Sequence, residues 1–129
     1  MITGILPKRT IDPHGSGEYG APRGSRLHVG IDFECAPGTQ IQSPVHGHVT
    51  KIGYPYADDL AYRYVQITDA TGHNHRVFYI QPLVEIGAKV STGDTIGSSQ
   101  DLTARYPGIT PHCHYEIKKD GIYTNPEVF

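Results

Sequence analysis

Histidines and one aspartate are the residues of this chain that could hold a metal ion, and they lie in two short stretches. His28 and Asp32 stand four residues apart in HVGID, and His112 and His114 flank Cys113 in HCH. Three imidazole or carboxylate ligands with a fourth, open position are typical of catalytic zinc. The chemistry to expect is activation of water and polarisation of a carbonyl group, with a neighbouring histidine moving the proton.

The backbone between His28 and Asp32 decides whether the two side chains can share one ion. In a straight strand they would lie on one face but about 13 Å apart, too far for bonds near 2 Å. A helix would bring them within about 6 Å, but Gly30 and its branched neighbours disfavour a helix. A shared ion therefore requires a bend, and Gly30 is the residue that permits one.

The HCH stretch is predicted to be a strand, with His112 and His114 on one face and Cys113 turned to the core. One strand repeat separates the two imidazoles by about 6.6 Å, so one can bind an ion while the other lies beside the reacting water. A pair of solvent-facing polar residues is the alternative. Together with the first stretch, this gives a candidate set of two histidines and one carboxylate: His28, Asp32 and His114.

The elements that must position these residues are predicted to be short β-strands. The 129 residues include 15 glycines and 10 prolines, which divide the chain into short β-rich runs without a sustained helical period. This pattern favours an all-β fold, either a sandwich or a barrel. We expect an irregular N-terminal arm over 1–17, a single domain over 18–129, and one helical turn within 100–108. Strands are expected at 27–33, 39–45, 47–54, 62–68, 75–83, 94–99 and 112–118.

Composition narrows the functional classes. The net charge of −2 gives no electrostatic reason to expect a nucleic acid or an anionic membrane as partner. No apolar run approaches 18 residues, and no leader with a long apolar region is visible, so neither a membrane span nor a signal peptide is expected. Cys35 and Cys113 do not form a disulfide framework and are expected to be reduced and partly buried.

Over roughly residues 18–126, the chain resembles the lysostaphin-type (LytM-like) peptidoglycan metalloendopeptidases. The resemblance implies an antiparallel β fold with zinc in a groove, held by His28, Asp32 and His114, with His112 as a catalytic histidine. It also implies peptidoglycan peptides as substrates. Four stretches carry it, in the order and spacing of the family: EYGAPRGSRLHVGIDF, APGTQIQSPVHGHVTKIG, VEIGAKVSTGDTIG and TPHCHYEI.

One position departs from the family pattern. The family has a second catalytic histidine in a Y-x-H-L segment, whereas this chain reads FYIQP, with Tyr79 retained and Gln81 in place of the histidine. Glutamine can donate a hydrogen bond to an oxyanion but cannot shuttle a proton near pH 7. His75 lies too far along a strand to substitute for the missing group. We therefore predict that Gln81 or Tyr79 supplies a hydrogen-bond donor there.

The same FYIQP segment, together with YPGITPHCHYEI, is closest in pattern to the leukocyte cell-derived chemotaxin-like branch of this family. That resemblance implies a zinc-binding signalling domain without proteolytic activity. Most cysteines of the branch are absent: Ile11 and Ser16 stand at two of their positions, and Cys35 matches one whose partner is missing. The chain is therefore not built for the same oxidising setting, and we expect a bacterial or phage relative.

Two functions stay open. The first is a zinc-dependent peptidoglycan endopeptidase, made in the cytoplasm and delivered to the cell wall or periplasm by a phage virion or a secretion machine. The alternative is a catalytically impaired zinc-binding module that binds a peptide, a glycan or a protein without cleaving it. A biotinyl- or lipoyl-carrier hairpin is a weaker third reading, because no suitable lysine lies at a hairpin tip.

Four other side chains could lie near the candidate site. Glu116 is expected to hydrogen-bond a ligand histidine. Arg23 and Arg26 are expected to flank the groove, where they could bind a carboxylate. His14, in the arm, could occupy the open position of the metal.

Overall fold

The computed structural model describes residues 6–9, 12, 14–23 and 26–129, and this part of the chain is almost entirely β-structure. It contains no α-helix, and no helix in it is long and apolar enough to cross a membrane. The predicted all-β class is confirmed. The strands are β1 Pro22–Arg23, β2 Arg26–Leu27, β3 Ile31–Glu34, β4 Gln40–Gln42, β5 Gly47–Gly53, β6 Tyr64–Thr68, β7 Asn74–Phe78, β8 Ile80–Pro82, β9 Lys89–Val90, β10 Thr95–Ser99, β11 His112–Lys119 and β12 Ile122–Thr124, followed by a 3₁₀ helix at Pro126–Val128.

All strand pairs in the described residues are antiparallel, and the strands form one large and two small sheets. The large sheet runs β12-β11-β7-β6-β5-β9, with β3 beside the first half of β11 and β12 beside its second half. A three-stranded sheet has the order β4-β10-β8, and β1 pairs with β2. Buried side chains from the large and the three-stranded sheet form the main core; they include Ile31, Phe33, Ile41, Val65, Ile67, Val77, Ile80 and Ile96.

Strand β11 separates the core from the candidate site. Cys113, Tyr115 and Ile117 alternate along it and belong to the core cluster, as the period of a strand requires. His112 and His114, which alternate with these core residues, therefore lie on the opposite face of the sheet. Both cysteines of the chain are free and buried, as expected.

The predicted strand over 27–33 is broken where the metal hypothesis requires a break. Strand β2 ends at Leu27, β3 begins at Ile31, and the chain bends at Gly30. A Cβ atom at Gly30 would lie 2.7 Å from the His114 ring and would also collide with the carbonyl oxygen of Tyr115. Glycine is therefore needed here because the backbone passes directly over strand β11.

The prediction of one continuous strand over 75–83 was wrong. Tyr79 has a φ of 69°, in the left-handed region that non-glycine residues rarely adopt. The turn at Tyr79 takes the chain from β7, in the large sheet, to β8, in the three-stranded sheet. One residue thus forms the corner between the two sheets.

Two irregular segments complete the fold around the site. Residues 7–9 and Gly17 lie along the edge of β3 that does not face β11: Arg9 N donates to Asp32 O at 2.7 Å, Glu34 N donates to Pro7 O at 2.7 Å, and Asp32 N donates to Gly17 O at 2.8 Å. The stretch predicted to hold one helical turn does form a turn, with Tyr106 N donating to the carbonyl of Leu102 at 2.9 Å. Leu102 is fully buried and forms a second small core with Tyr62 and Ile109.

Candidate metal centre

The structure brings the three predicted ligand residues together. His28 Nε2 lies 3.0 Å from His114 Nδ1 and 3.2 Å from Asp32 Oδ1, and His114 Nδ1 lies 2.9 Å from the same oxygen. Ligand atoms around a tetrahedral zinc with bonds of 2.0–2.1 Å are about 3.3 Å apart. The bend at Gly30 therefore produces a triangle of one carboxylate oxygen and two imidazole nitrogens whose edges lie within about 0.4 Å of the spacing that zinc requires.

The outward-facing nitrogens of both ligand histidines already have oxygen partners. His28 Nδ1 lies 2.9 Å from the carbonyl oxygen of Glu18, and His114 Nε2 lies 2.9 Å from Glu116 Oε1. Because carbonyl and carboxylate oxygens only accept hydrogen bonds, these nitrogens carry protons. When a ring is neutral, its remaining lone pair points into the triangle, which is the orientation a metal ligand needs. The expected bond from Glu116 to a ligand histidine is present.

The charges of the cluster attract a cation. Burial by itself lowers the pKa of His114, but hydrogen bonds and charge from Asp32 and Glu116 raise it to about 9. Burial raises the pKa of Asp32, yet His114 and His28 lower it well below its usual range. Without a metal, the cluster therefore holds a proton at neutral pH. This proton lies where the two histidines and the carboxylate would bind zinc, so a bound metal ion would displace it.

His112 lies beside the triangle without belonging to it. Its Nδ1 donates to the carbonyl oxygen of Thr110 at 2.7 Å, so its Nε2 faces the site as an acceptor, 3.5 Å from Asp32 Oδ2. Burial lowers the pKa of His112 more than the charge of Asp32 raises it. The neutral imidazole is therefore placed to accept a proton from a molecule bound at the triangle.

A cavity of about 600 Å³ opens over the triangle. Tyr79 lines this cavity, and its ring meets the ring of His112 edge-on, with centroids 5.6 Å apart. Gln81 is not among the lining residues: it lies on β8, opposite Ser98, with its side chain exposed. Of the two donors predicted near the site, the geometry brings only Tyr79 to the cavity. The walls also include His14, Arg23, Leu27, Pro55, Tyr56, Leu102, Tyr106, Ile109 and Tyr123.

A chain of hydroxyl groups ends at Tyr79. Arg105 Nε donates to the Tyr106 hydroxyl at 3.2 Å, Tyr106 donates to Tyr56 at 3.0 Å, and Tyr56 donates to Tyr79 at 3.2 Å. In this direction each hydroxyl accepts one hydrogen bond and donates its single proton to the next oxygen. The proton of Tyr79 is thereby left over for the cavity. Burial raises the pKa of Tyr79 to about 12, so that proton is present at neutral pH.

The remaining histidines do not join the triangle. His14 lies at the rim, with Nε2 2.9 Å from the carbonyl oxygen of Pro107, and His75 is enclosed elsewhere in the large sheet. His46 and His48 are exposed. Arg23 lines the cavity, 3.7 Å from Asp32 Oδ2, whereas the side chain of Arg26 lies outside the described residues.

Comparison with known proteins identifies the family. The family model "Peptidase family M23" matches residues 26–126, which is most of the chain. The chain belongs to this family. Leukocyte cell-derived chemotaxin-2 from Bos taurus is 33% identical over 108 residues, covering 84% of this chain and 71% of that protein. An uncharacterized metalloprotease from Haemophilus influenzae is 33% identical over 106 residues, covering 78% of this chain and 20% of that protein.

Solved M23 structures share the fold. The catalytic domain of the prophage-encoded M23 protein EnpA from Enterococcus faecalis superposes with a TM-score of 0.71 at 22% identity, covering 96% of this chain and 91% of that one. Lysostaphin from Staphylococcus simulans superposes with a TM-score of 0.70 at 21% identity, covering 92% of this chain and 48% of that one. The lysostaphin-type fold expected from the sequence is confirmed, and the M23 domain contains a His–Asp–His group that could hold a metal ion.

Proposed function

We propose that this protein is a zinc-dependent endopeptidase that cleaves peptide bonds of bacterial peptidoglycan. The observation that carries the proposal is the triangle of His28, Asp32 and His114, whose inward atoms are acceptors and face an open cavity. When bound there, zinc would supply an activated water and a polarised carbonyl group. Two nitrogens and one carboxylate oxygen suit zinc better than the all-oxygen sites that calcium and magnesium prefer.

His112 supplies the proton transfer that peptide hydrolysis needs. Its Nε2 accepts a proton from the attacking water and then delivers it to the nitrogen of the leaving amine. The bond from Nδ1 to Thr110 holds the ring in the required tautomer during both steps. The low pKa that burial imposes on His112 keeps the ring ready to accept a proton at neutral pH.

Tyr79 stabilises the negative charge that develops on the oxygen of the scissile carbonyl. The hydroxyl proton of Tyr79 faces the cavity, and the hydrogen-bond chain from Arg105 orients it before the substrate arrives. A donor that is already oriented toward the developing charge stabilises the transition state of peptide hydrolysis. Gln81, the other predicted donor, has no geometric support for this role because its side chain lies outside the cavity wall.

Delivery to the cell wall by a phage virion or a secretion machine is part of the proposal. The fold is shared with a prophage-encoded M23 protein and with lysostaphin, which is described as an antimicrobial peptidase. Peptidoglycan peptides would then be the substrates and the carrier particle the protein partner.

A zinc-binding module without peptidase activity is the second candidate. Two observations favour it: Gln81 replaces the second histidine of the family pattern, and the chain is similar to a chemotaxin over 84% of its length. In that case the same cavity would hold a peptide, a glycan or a protein partner, and the cation would serve recognition.

Cleavage of purified muropeptides, followed by mass spectrometry, separates the two candidates. We expect the zinc-loaded protein to cleave, His112→Ala to keep its zinc and lose cleavage, and Gln81→Ala to behave like the parent. No cleavage by the parent, together with cleavage by Gln81→His, would overturn the endopeptidase proposal in favour of the binding module.

A further inference from the structure

The two oxygens of the Asp32 carboxylate have different partners. Oδ1 faces the triangle, 3.2 Å from His28 Nε2 and 2.9 Å from His114 Nδ1. Oδ2 accepts a hydrogen bond from Arg9 Nη1 at 2.8 Å. Arg9 belongs to the predicted N-terminal arm over 1–17, and its side chain is only 2% exposed. A buried guanidinium therefore lies directly behind the carboxylate of the candidate metal centre.

The other side of the Arg9 guanidinium is held just as firmly. Arg9 Nε and Nη2 donate to the two oxygens of Asp12 at 3.0 and 2.7 Å, the paired geometry that makes arginine–carboxylate contacts rigid. Asp12 in turn accepts a hydrogen bond from Thr110 N at 2.8 Å, at the start of the segment that leads into His112. Residues 9 and 12 thus connect the strand that carries Asp32 to the residues that precede β11.

The charges make this arrangement compatible with a bound cation. A guanidinium beside a metal ion would be repelled if it stood alone, but Arg9 is balanced by Asp12 as well as Asp32. The backbone adds a second tie, because Arg9 N donates to Asp32 O at 2.7 Å. Rotation of the Asp32 carboxylate would break its charge-assisted bond to a buried partner, which costs more than breaking a neutral one.

We propose that Arg9 is a positioning residue of the metal centre. It fixes Oδ2 of Asp32, so that the carboxylate offers only Oδ1 to the metal and leaves the fourth position open for water or substrate. Arg9 and its partner Asp12 are then part of the centre. The inference rests on the proposed metal centre, but it does not depend on peptide cleavage.

Zinc affinity, measured by competition with a chromophoric chelator, tests the proposal. The partners that orient metal ligands typically contribute a factor of 10 to 100 in affinity. We therefore expect Arg9→Gln to bind zinc about 10- to 100-fold more weakly than the parent. Arg9→Lys keeps the charge but cannot bond both carboxylates, so it should fall between the two. Lys8→Gln is the matched control: the exposed side chain of Lys8 pairs with the side-chain carboxylates of Glu18 and Glu127 and with no residue of the triangle, so its loss should leave the affinity unchanged.

The visible absorption of the cobalt-substituted protein is a readout that a merely structural role would not alter. Cobalt(II) absorbs more strongly in four-coordinate than in five- or six-coordinate sites. We expect a strong band in the parent and a weaker band in Arg9→Gln, because the freed carboxylate can bind through both oxygens. If Arg9→Gln does not fold, Arg9→Lys carries the same comparison.

The outcomes separate this inference from the proposed function. A parent protein that binds no zinc would overturn both. A parent that binds zinc, with Arg9 variants of the same zinc affinity and the same cobalt spectrum, would overturn the role of Arg9 alone. Weaker zinc binding with a changed cobalt spectrum in both Arg9 variants, and neither change in Lys8→Gln, would support it.

Discussion

Two buried histidines, His114 and His75, each contact two side-chain oxygen atoms, but their pKa values are shifted in opposite directions. Each ring is bonded through both nitrogens to oxygen atoms at 2.7–2.9 Å. For His114 both oxygens belong to carboxylates, those of Asp32 and Glu116, and its pKa is raised to about 9 although burial lowers it. The histidine with two carboxylate partners therefore retains positive charge inside the protein.

His75 shows the result of exchanging one carboxylate for a hydroxyl. Its partners are Asp69 and the hydroxyl of Tyr115, its side chain is fully buried, and burial lowers its pKa more than Asp69 raises it. No cavity among those found in the described residues is lined by His75. The His75–Asp69 pair thus stabilises the fold. The cluster at His114 adds a second carboxylate, a second imidazole and an opening to solvent, and these make it a candidate site for a cation.

The largest expected effect comes from a histidine that faces the cavity. His112→Ala should reduce kcat/KM for a muropeptide by about 10²- to 10⁴-fold, because the proton acceptor is removed while the metal ligands stay in place. Zinc content and unfolding should change little. His48→Ala, an exposed histidine on β5, is the control. Normal turnover by His112→Ala would remove this residue from the mechanism.

Two tyrosine hydroxyls, one at each cluster, should separate catalysis from stability. Tyr79→Phe should lower kcat by about 10²-fold with little change in unfolding, since a donor to the developing oxyanion is lost. Tyr115→Phe should leave kcat unchanged but destabilise the fold by about 1–2 kcal/mol, because His75 loses a buried hydrogen bond. Equal effects of both substitutions on kcat would contradict the assignment of Tyr79.

His75→Ala should affect stability and leave the metal in place. The substitution removes His75 as the buried partner of Asp69 Oδ2 and of the Tyr115 hydroxyl, at a cost of about 2–3 kcal/mol in the free energy of unfolding. Urea unfolding of the metal-free protein measures that loss, and zinc content should match the parent. Loss of zinc in a folded His75→Ala protein would show that the two clusters are coupled.

The smallest effect is a pH dependence of stability. Burial lowers the pKa of His75 in the folded state below its ordinary value. The stability that the neutral His75 ring contributes is therefore fully present above about pH 6.5 and is lost as the pH falls below that value. Its slope is at most about 1.4 kcal/mol per pH unit. His112 shifts in the same direction, so the difference between parent and His75→Asn unfolding curves, without metal, isolates His75. Parallel curves from pH 7 to 5 would contradict this reading.

The ligand triangle could be anticipated from the sequence because each step depends on local rules. Gly30 permits the bend that brings His28 back toward Asp32, and the two-residue period of a strand places His114 on the face opposite Cys113. The all-β class followed in the same way from the spacing of glycine and proline turns. These are properties of short segments, which composition and periodicity describe well.

The parts of the site that the sequence did not predict depend on contacts between residues far apart in the chain. Arg9 lies 23 residues before Asp32, and Asp12 bonds the backbone of Thr110 across 98 residues. No local pattern marks an irregular segment as part of a metal centre. The positive φ of Tyr79 could not be predicted from a local pattern either. If FYIQP were one strand, Gln81 would lie near the metal, but the corner at Tyr79 turns the Tyr79 side chain to the cavity instead.

Zinc content per chain, measured by mass spectrometry after loading and exhaustive dialysis, tests the central claim most directly. The parent and His75→Ala should each retain one zinc ion per chain, and Asp32→Ala should retain none. A parent protein without zinc, or an Asp32→Ala protein that keeps it, would contradict the assignment of His28, Asp32 and His114 as the metal centre.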